Sequence, residues 1–164
     1  MRKLILISFL LAFCVVIFPN VSHTLGFEGF GGKVGLILPV GGVYNNTIVF
    51  GVVAYLGNIM PSLNALKAET SFEYWRVSYS GIFLYSIPRF NIDAKYYFSN
   101  SGIAPFAGGG FEYYRISPYY NADFNLVGGV DAPIGTNMKF VAEATYGTGV
   151  DWFQITGGIV VKLK

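Results

Sequence analysis

The sequence predicts an all-β protein, a closed up-and-down antiparallel transmembrane β-barrel of eight strands preceded by a cleavable signal peptide. Three observations carry this. Charged residues after position 26 fall almost entirely on one parity of alternating runs: Lys67, Glu69 and Glu73; Arg89, Asp93 and Lys95; Asp123 and Asp131; Lys139 and Glu143. The positions between them are mostly apolar, as in Phe90, Ile92, Ala94 and Tyr96, so the period is two, that of a strand with one wet face and one greasy face. These runs recur between short turns, which is how a membrane barrel is written. Finally, only 12% of the 164 residues are charged, whereas a soluble surface carries charge at about a quarter or more of its positions.

The elements follow in chain order. Arg2 and Lys3 precede an apolar run over 4–18 that is shorter than the roughly 20 residues a spanning helix needs. Residues 19–24 begin with Pro19 and are mostly small or polar. Positions 1–24 therefore read as a secretory signal peptide, cut after Ser22 or Thr24, with a retained anchor as the alternative. Residues 25–164 are left as the barrel. The single cysteine, Cys14, lies in the apolar run behind the bulky Phe13, which argues against lipidation. The mature chain then has no thiol, and so neither a disulfide nor a thiolate metal site. Setting Arg2 and Lys3 aside leaves nine basic residues against nine acidic ones, which gives no electrostatic footprint for nucleic acid.

Strands are expected over 28–39, 47–57, 64–77, 87–98, 104–116, 122–133, 138–147 and 153–164. The intervening 41–46, 99–102, 133–137 and 147–151 are rich in Gly, Asn, Ser and Thr, the residues of tight turns. Each strand has about the 9 to 11 residues needed to cross a tilted hydrocarbon layer. An even number of strands permits closure, which lipid demands because an open sheet edge would leave backbone groups unpaired in hydrocarbon. In the first strand Glu28 and Lys33 sit on opposite parities, so either Glu28 lies beyond the slab or a bulge occurs near Gly31-Gly32. The second strand is apolar on both parities, leaving its facing open. Pro88 cannot donate to a ladder and is placed near the extracellular rim, with 78–86 as a loop or a lengthened strand above the membrane.

Parity alone does not say which face is outside, because a soluble lipocalin-like barrel also alternates, with its apolar face inward. The charges favour the inside-out arrangement. Lys33, Lys67, Arg89, Lys95, Lys139 and Lys162 nearly match Glu69, Glu73, Asp93, Glu112, Asp123, Asp131 and Glu143 in number, as a narrow lumen of ion pairs requires. Aromatic placement agrees. With the N-terminus periplasmic, Tyr96, Tyr97 and Phe98 fall at one end of the strands, and Tyr74, Trp75, Tyr113, Tyr114, Tyr146, Trp152 and Phe153 at the other, as two interface belts would. The alternative is an aromatic sandwich core. In the last strand Phe153, Ile155, Gly157, Ile159, Val161 and Leu163 keep one face apolar to its end.

On these residues the chain resembles the small eight-stranded outer-membrane barrels of the OmpA-like, OmpX-like and OmpW-like superfamily. The likeness is strongest over 87–98 (IPRFNIDAKYYF), which is similar to the fourth strand of that group, and over 104–110 (APFAGGG), similar to the start of the fifth. It implies residence in the outer membrane of a Gram-negative-type envelope, contact with outer-membrane lipid, and insertion by the barrel-assembly machinery. Such barrels usually end in Phe or Trp, whereas this sequence ends Val161-Lys162-Leu163-Lys164.

The chemical inventory is thin. The sole histidine, His23, lies in the signal region, so no strand or predicted loop carries the usual partner of a nucleophile. Glu69 and Glu73, four positions apart on one face, are about 13 Å from each other along a strand, too far to share a proton. Gly108-Gly109-Gly110 has no following helix to make a phosphate site, and reads as room for large lumenal neighbours such as Tyr114 or as a point of sharp barrel curvature. No enzyme, cofactor or metal site is expected. The extracellular connections are short, which argues against an adhesin, and an eight-stranded lumen is narrow enough for side chains to fill. The expectation is a monomeric barrel with a structural or envelope-maintaining role. Two readings stay open beside it: a narrow conduit or binding barrel for small hydrophobic molecules, as the OmpW-like resemblance implies, and a soluble ligand carrier.

Overall fold

A computed structural model describes residues 25–40, 45–60, 62–116, 118–149 and 152–163. The expected signal peptide, the centre of the 41–46 turn and Lys164 lie outside the described residues. Eight strands run in order: β1 Leu25–Pro39, β2 Thr47–Asn58, β3 Leu66–Tyr79, β4 Ile82–Tyr97, β5 Ala104–Ile116, β6 Tyr119–Pro133, β7 Met138–Gly147 and β8 Trp152–Lys162. Each pairs antiparallel with its sequence neighbours, and β8 returns to β1 from Gly29↔Lys162 to Pro39↔Trp152, closing the sheet. Closure gives each strand a hydrogen-bonded neighbour on both sides through the body of the barrel, as backbone groups in hydrocarbon require.

The alternation of the sequence becomes an alternation of faces. Phe30, Val34 and Leu36 of β1, Phe50 and Val52 of β2, Phe72 of β3, Ile92 of β4, Phe111 of β5, Phe124 and Leu126 of β6, and Ile155 and Ile159 of β8 all point outward and are exposed. Most strands thus contribute to one continuous apolar exterior, far larger than a soluble monomer shows. On the other parity the charged and amide side chains are buried within the barrel. In β2 the outward set is Ile48, Phe50 and Val52, which settles the facing that its sequence left open.

Three local points are settled. The irregularity in β1 lies between Leu25 and Gly29, opposite a matching shift between Tyr55 and Gly57. Gly31↔Val53 and Gly32↔Val52 run on without a bulge. The shift turns Glu28 into the barrel mouth, where its carboxylate meets Lys67 at 2.9 Å. Of the two readings left open for 78–86, the lengthened strand is the one that forms. Its turn is only Ser80-Gly81, both with positive φ (47° and 79°), the backbone that a two-residue hairpin matching strand twist requires. Strands β3 and β4 therefore continue beyond the last β2–β3 pair, Val49↔Trp75, and beyond the last β4–β5 pair, Arg89↔Tyr114. That second ladder stops at Pro88, which has no N–H to extend it. Likewise β6 starts at Tyr119, three residues earlier than its pattern suggests, because it pairs directly with Ile116 across a tight turn.

Gly108-Gly109-Gly110 does not accommodate Tyr114. At Gly110 a Cβ would collide with the Ile92 carbonyl and the Asp93 carboxylate, so the missing side chain lets Asp93 of the neighbouring strand lean across β5.

Candidate functional site

The lumen is built in tiers. At its centre Lys33 on β1, Glu69 and Glu73 on β3, Arg89 and Lys95 on β4, Glu112 on β5 and Glu143 on β7 come together, all buried or nearly so. Lys33 Nζ lies 2.6 Å from Glu73 Oε1 and 3.2 Å from Glu143 Oε1. Lys95 Nζ lies 2.6 Å from Glu69 Oε2 and also donates to Glu143. Arg89 donates to Glu73 and to the Gln154 carbonyl oxygen, and reaches Glu112 Oε2 at 3.3 Å. Glu73 and Glu143 each bridge two cations, so the strands are tied across the lumen as well as along its wall. Neutral groups finish the network: Asn91 donates to Ser71 Oγ at 2.9 Å, and Gln154 Nε2 donates to Glu73 at 3.1 Å.

An apolar tier lies on each side of this centre. Toward the β3–β4 turn it comprises Ile37, Val49, Trp75, Ile87, Tyr114 and Trp152. The two indoles meet edge to face at 5.3 Å, and the Arg89 guanidinium lies 3.9 Å from the Trp152 ring centre and 4.9 Å from that of Trp75. Toward the chain termini the tier is Val53, Tyr55, Tyr97, Phe106, Val127, Val141 and Val160. Below it Asp131 accepts from Tyr97 Oη at 3.0 Å and from Lys139, whose ammonium lies 3.4 Å over the Tyr55 ring. Beyond that pair the barrel opens into a vestibule of about 760 Å³, lined in part by Glu28, Asn58, Asn64, Lys67, Ser99 and Lys162.

Of the residues expected to form a lumenal charge network, Lys33, Glu69, Glu73, Arg89, Lys95, Glu112 and Glu143 form the centre, and Asp131 and Lys139 pair below it. The rest are placed differently. Lys67 stands at the mouth, where its side chain is 30% exposed. Asp123 accepts from Tyr114 Oη at 2.6 Å. Asp93, by contrast, is buried in the centre opposite Glu69 as expected, with its Oδ1 lacking a hydrogen-bond partner.

The aromatic belt divides. Tyr74, Tyr96, Phe98, Tyr113 and Tyr146 face outward. Trp75 and Trp152, expected at the interface, are instead 6% and 2% exposed inside the lumen. Strand parity overrides residue type here: Trp75 shares its parity with Glu69 and Glu73, and Trp152 shares its own with Gln154 and Thr156. The same signal marked the neutral lumenal residues Ser71, Asn91, Asn125, Thr145 and Gln154, which a search for charges passes over.

This tiered lumen sits in a wall of known type. Neisserial surface protein A superposes with a TM-score of 0.59 at 13% identity, covering 84% of this chain and 97% of that one. This is the fold of the small outer-membrane barrels. Yersinia pestis Ail in a phospholipid nanodisc gives 0.54 at 11% identity, over 83% of this chain and 99% of that chain. The N-terminal barrel domain of Pseudomonas aeruginosa OprF gives 0.50 at 13%, over 84% and 99%. No family model matches the chain, and neither does any curated protein. Among the described residues no group of three or more His, Cys, Asp or Glu is placed to hold a metal ion.

Proposed function

We propose that the chain is a monomeric integral outer-membrane protein, exported by its signal peptide and inserted by the barrel-assembly machinery, with a structural role in the envelope and no enzymatic activity. The observation that carries this reading is the sequence of tiers: an ion-paired centre closed above by Trp75 and Trp152 and below by Tyr97, Phe106 and Val160. An ion must cross an apolar tier from either end before it reaches the central charges, coming from the chain termini only after passing the Asp131–Lys139 pair, and a hydrophobic solute that passed a tier would meet the charged centre. Both routes are unfavourable, so the lumen reads as a plug rather than the hydrophobic conduit that stands as the alternative. The apolar exterior supports residence in lipid, and short turns at the end away from the termini support a wall-like role.

Planar-bilayer recording tests this. The reading expects no stable unitary openings from a barrel whose folding is verified by heat-modifiable gel migration. Reproducible conductance steps would overturn it in favour of transport.

A further inference from the structure

Two charged residues break the parity that every other strand charge obeys. Arg76 on β3 and Arg115 on β5 are exposed on the outward face, and among the described strands they are the charges that stay there, Glu28 having turned into the mouth. A guanidinium on the lipid face is unfavourable in hydrocarbon and is retained only where it meets water or a headgroup.

The register brings the pair together. Arg76 is opposite Ser86, and Arg115, one residue past the Arg89–Tyr114 pair, stands beside Pro88. They flank the same stretch of β4, two strand spacings and two residues apart, or about 12 Å between Cα positions. Both lie at the end away from the chain termini, on the outer wall where the β3–β4 hairpin rises past its neighbours. Tyrosines surround them. Tyr74 is opposite Pro88, Tyr113 stacks on Tyr120 at 5.8 Å, and the Arg115 guanidinium lies 5.3 Å over the Tyr120 ring. That contact holds the Arg115 fork against the barrel wall.

We propose that Arg76 and Arg115 form a docking site for the phosphate groups of a lipid headgroup in the outer leaflet, with the neighbouring tyrosines at headgroup depth. Guanidinium binds phosphate through two parallel N–H···O bonds, and two such forks carried on Cα positions about 12 Å apart suit a headgroup with two phosphates better than one with a single phosphate. Charge complementarity selects the occupant: the site is cationic, rimmed by tyrosines and set on the outward wall of the barrel. The inference rests on the proposed membrane orientation.

The test uses the full-length barrel in detergent, titrated with diphosphoryl lipid A and read by native mass spectrometry as the fraction carrying bound lipid. The parent should retain the lipid, and R76Q/R115Q should retain it at least tenfold less while keeping heat-modifiable migration. Lipid A stripped of both phosphates should bind the parent no better than diphosphoryl lipid A binds the double variant. K67Q/K162Q, at the opposite mouth, should match the parent. Equal retention by R76Q/R115Q, equal binding of the stripped lipid, or an equal loss in K67Q/K162Q would each overturn the site. The membrane reading fails separately: a parent that stays in the aqueous phase and does not float with phosphatidylcholine vesicles refutes residence in lipid, whereas one that floats without phosphate preference refutes only this site.

Discussion

At Arg89 two carboxylates, an amide oxygen and two indole rings converge on one guanidinium that is only 2% exposed. Removing it would leave Glu112 without its ion pair and Glu73 with Lys33 as its remaining cation. Breaking a buried pair by deleting one partner strands a charge in a low-dielectric site and costs about 3–5 kcal/mol. Arg89→Met should therefore lower the midpoint of urea unfolding in lipid vesicles by that order, and Arg89→Lys should recover only part of the loss, because ammonium neither forks nor lies flat on indole. Lys67→Gln, breaking the exposed pair with Glu28, should stay within about 1 kcal/mol. Equal shifts in the two would remove the central network as the source of stability. The inward placement of Arg89 was legible in its parity. Its partners were not: Glu112 reaches it through the β4–β5 register, which the pattern does not fix, and Gln154 of β8 comes beside it only once the whole barrel has closed.

Strand identity was also legible, because alternation survives in all segments but the second, which is apolar on both parities, and each of the eight elements falls where its segment lies. Strand ends were less so. The 78–86 stretch read equally as a loop or a lengthened strand since Gly81 and Pro88 both interrupt a strand pattern; the strand forms because Gly81 occupies the turn itself and Pro88 sits where one neighbour has already ended. Likewise, the sequence shows three consecutive glycines but not which backbone approaches them. At Gly110 the approach is close enough that Gly110→Ala must push β4 and β5 apart or displace Asp93. Overpacking of this kind costs about 1–3 kcal/mol. Unfolding in vesicles should register that loss, while Gly26→Ala, where a Cβ meets nothing within 4 Å, should not.

For the whole molecule, everything turns on which side of the sheet meets hydrocarbon, and a single outward substitution can decide it by its sign. Ile92 projects from the middle of β4, flanked across the sheet by Thr70 and Phe111, and is 44% exposed. If that face met water, Ile92→Arg would be neutral or would improve solubility, as surface changes usually do. If it meets lipid, arginine there costs about 2–4 kcal/mol, falling to about 0–1 kcal/mol near the interface. Phe98, just past the end of β4 and 66% exposed, supplies the shallow control. Folding into phosphatidylcholine vesicles, followed by heat-modifiable migration and urea titration, should show Ile92→Arg destabilised by the larger amount and Phe98→Arg close to the parent. That depth dependence is a property of a bilayer and not of water. If both variants behave alike, the apolar exterior is not a membrane surface, and the ion-paired lumen is then the core of a soluble barrel turned inside out.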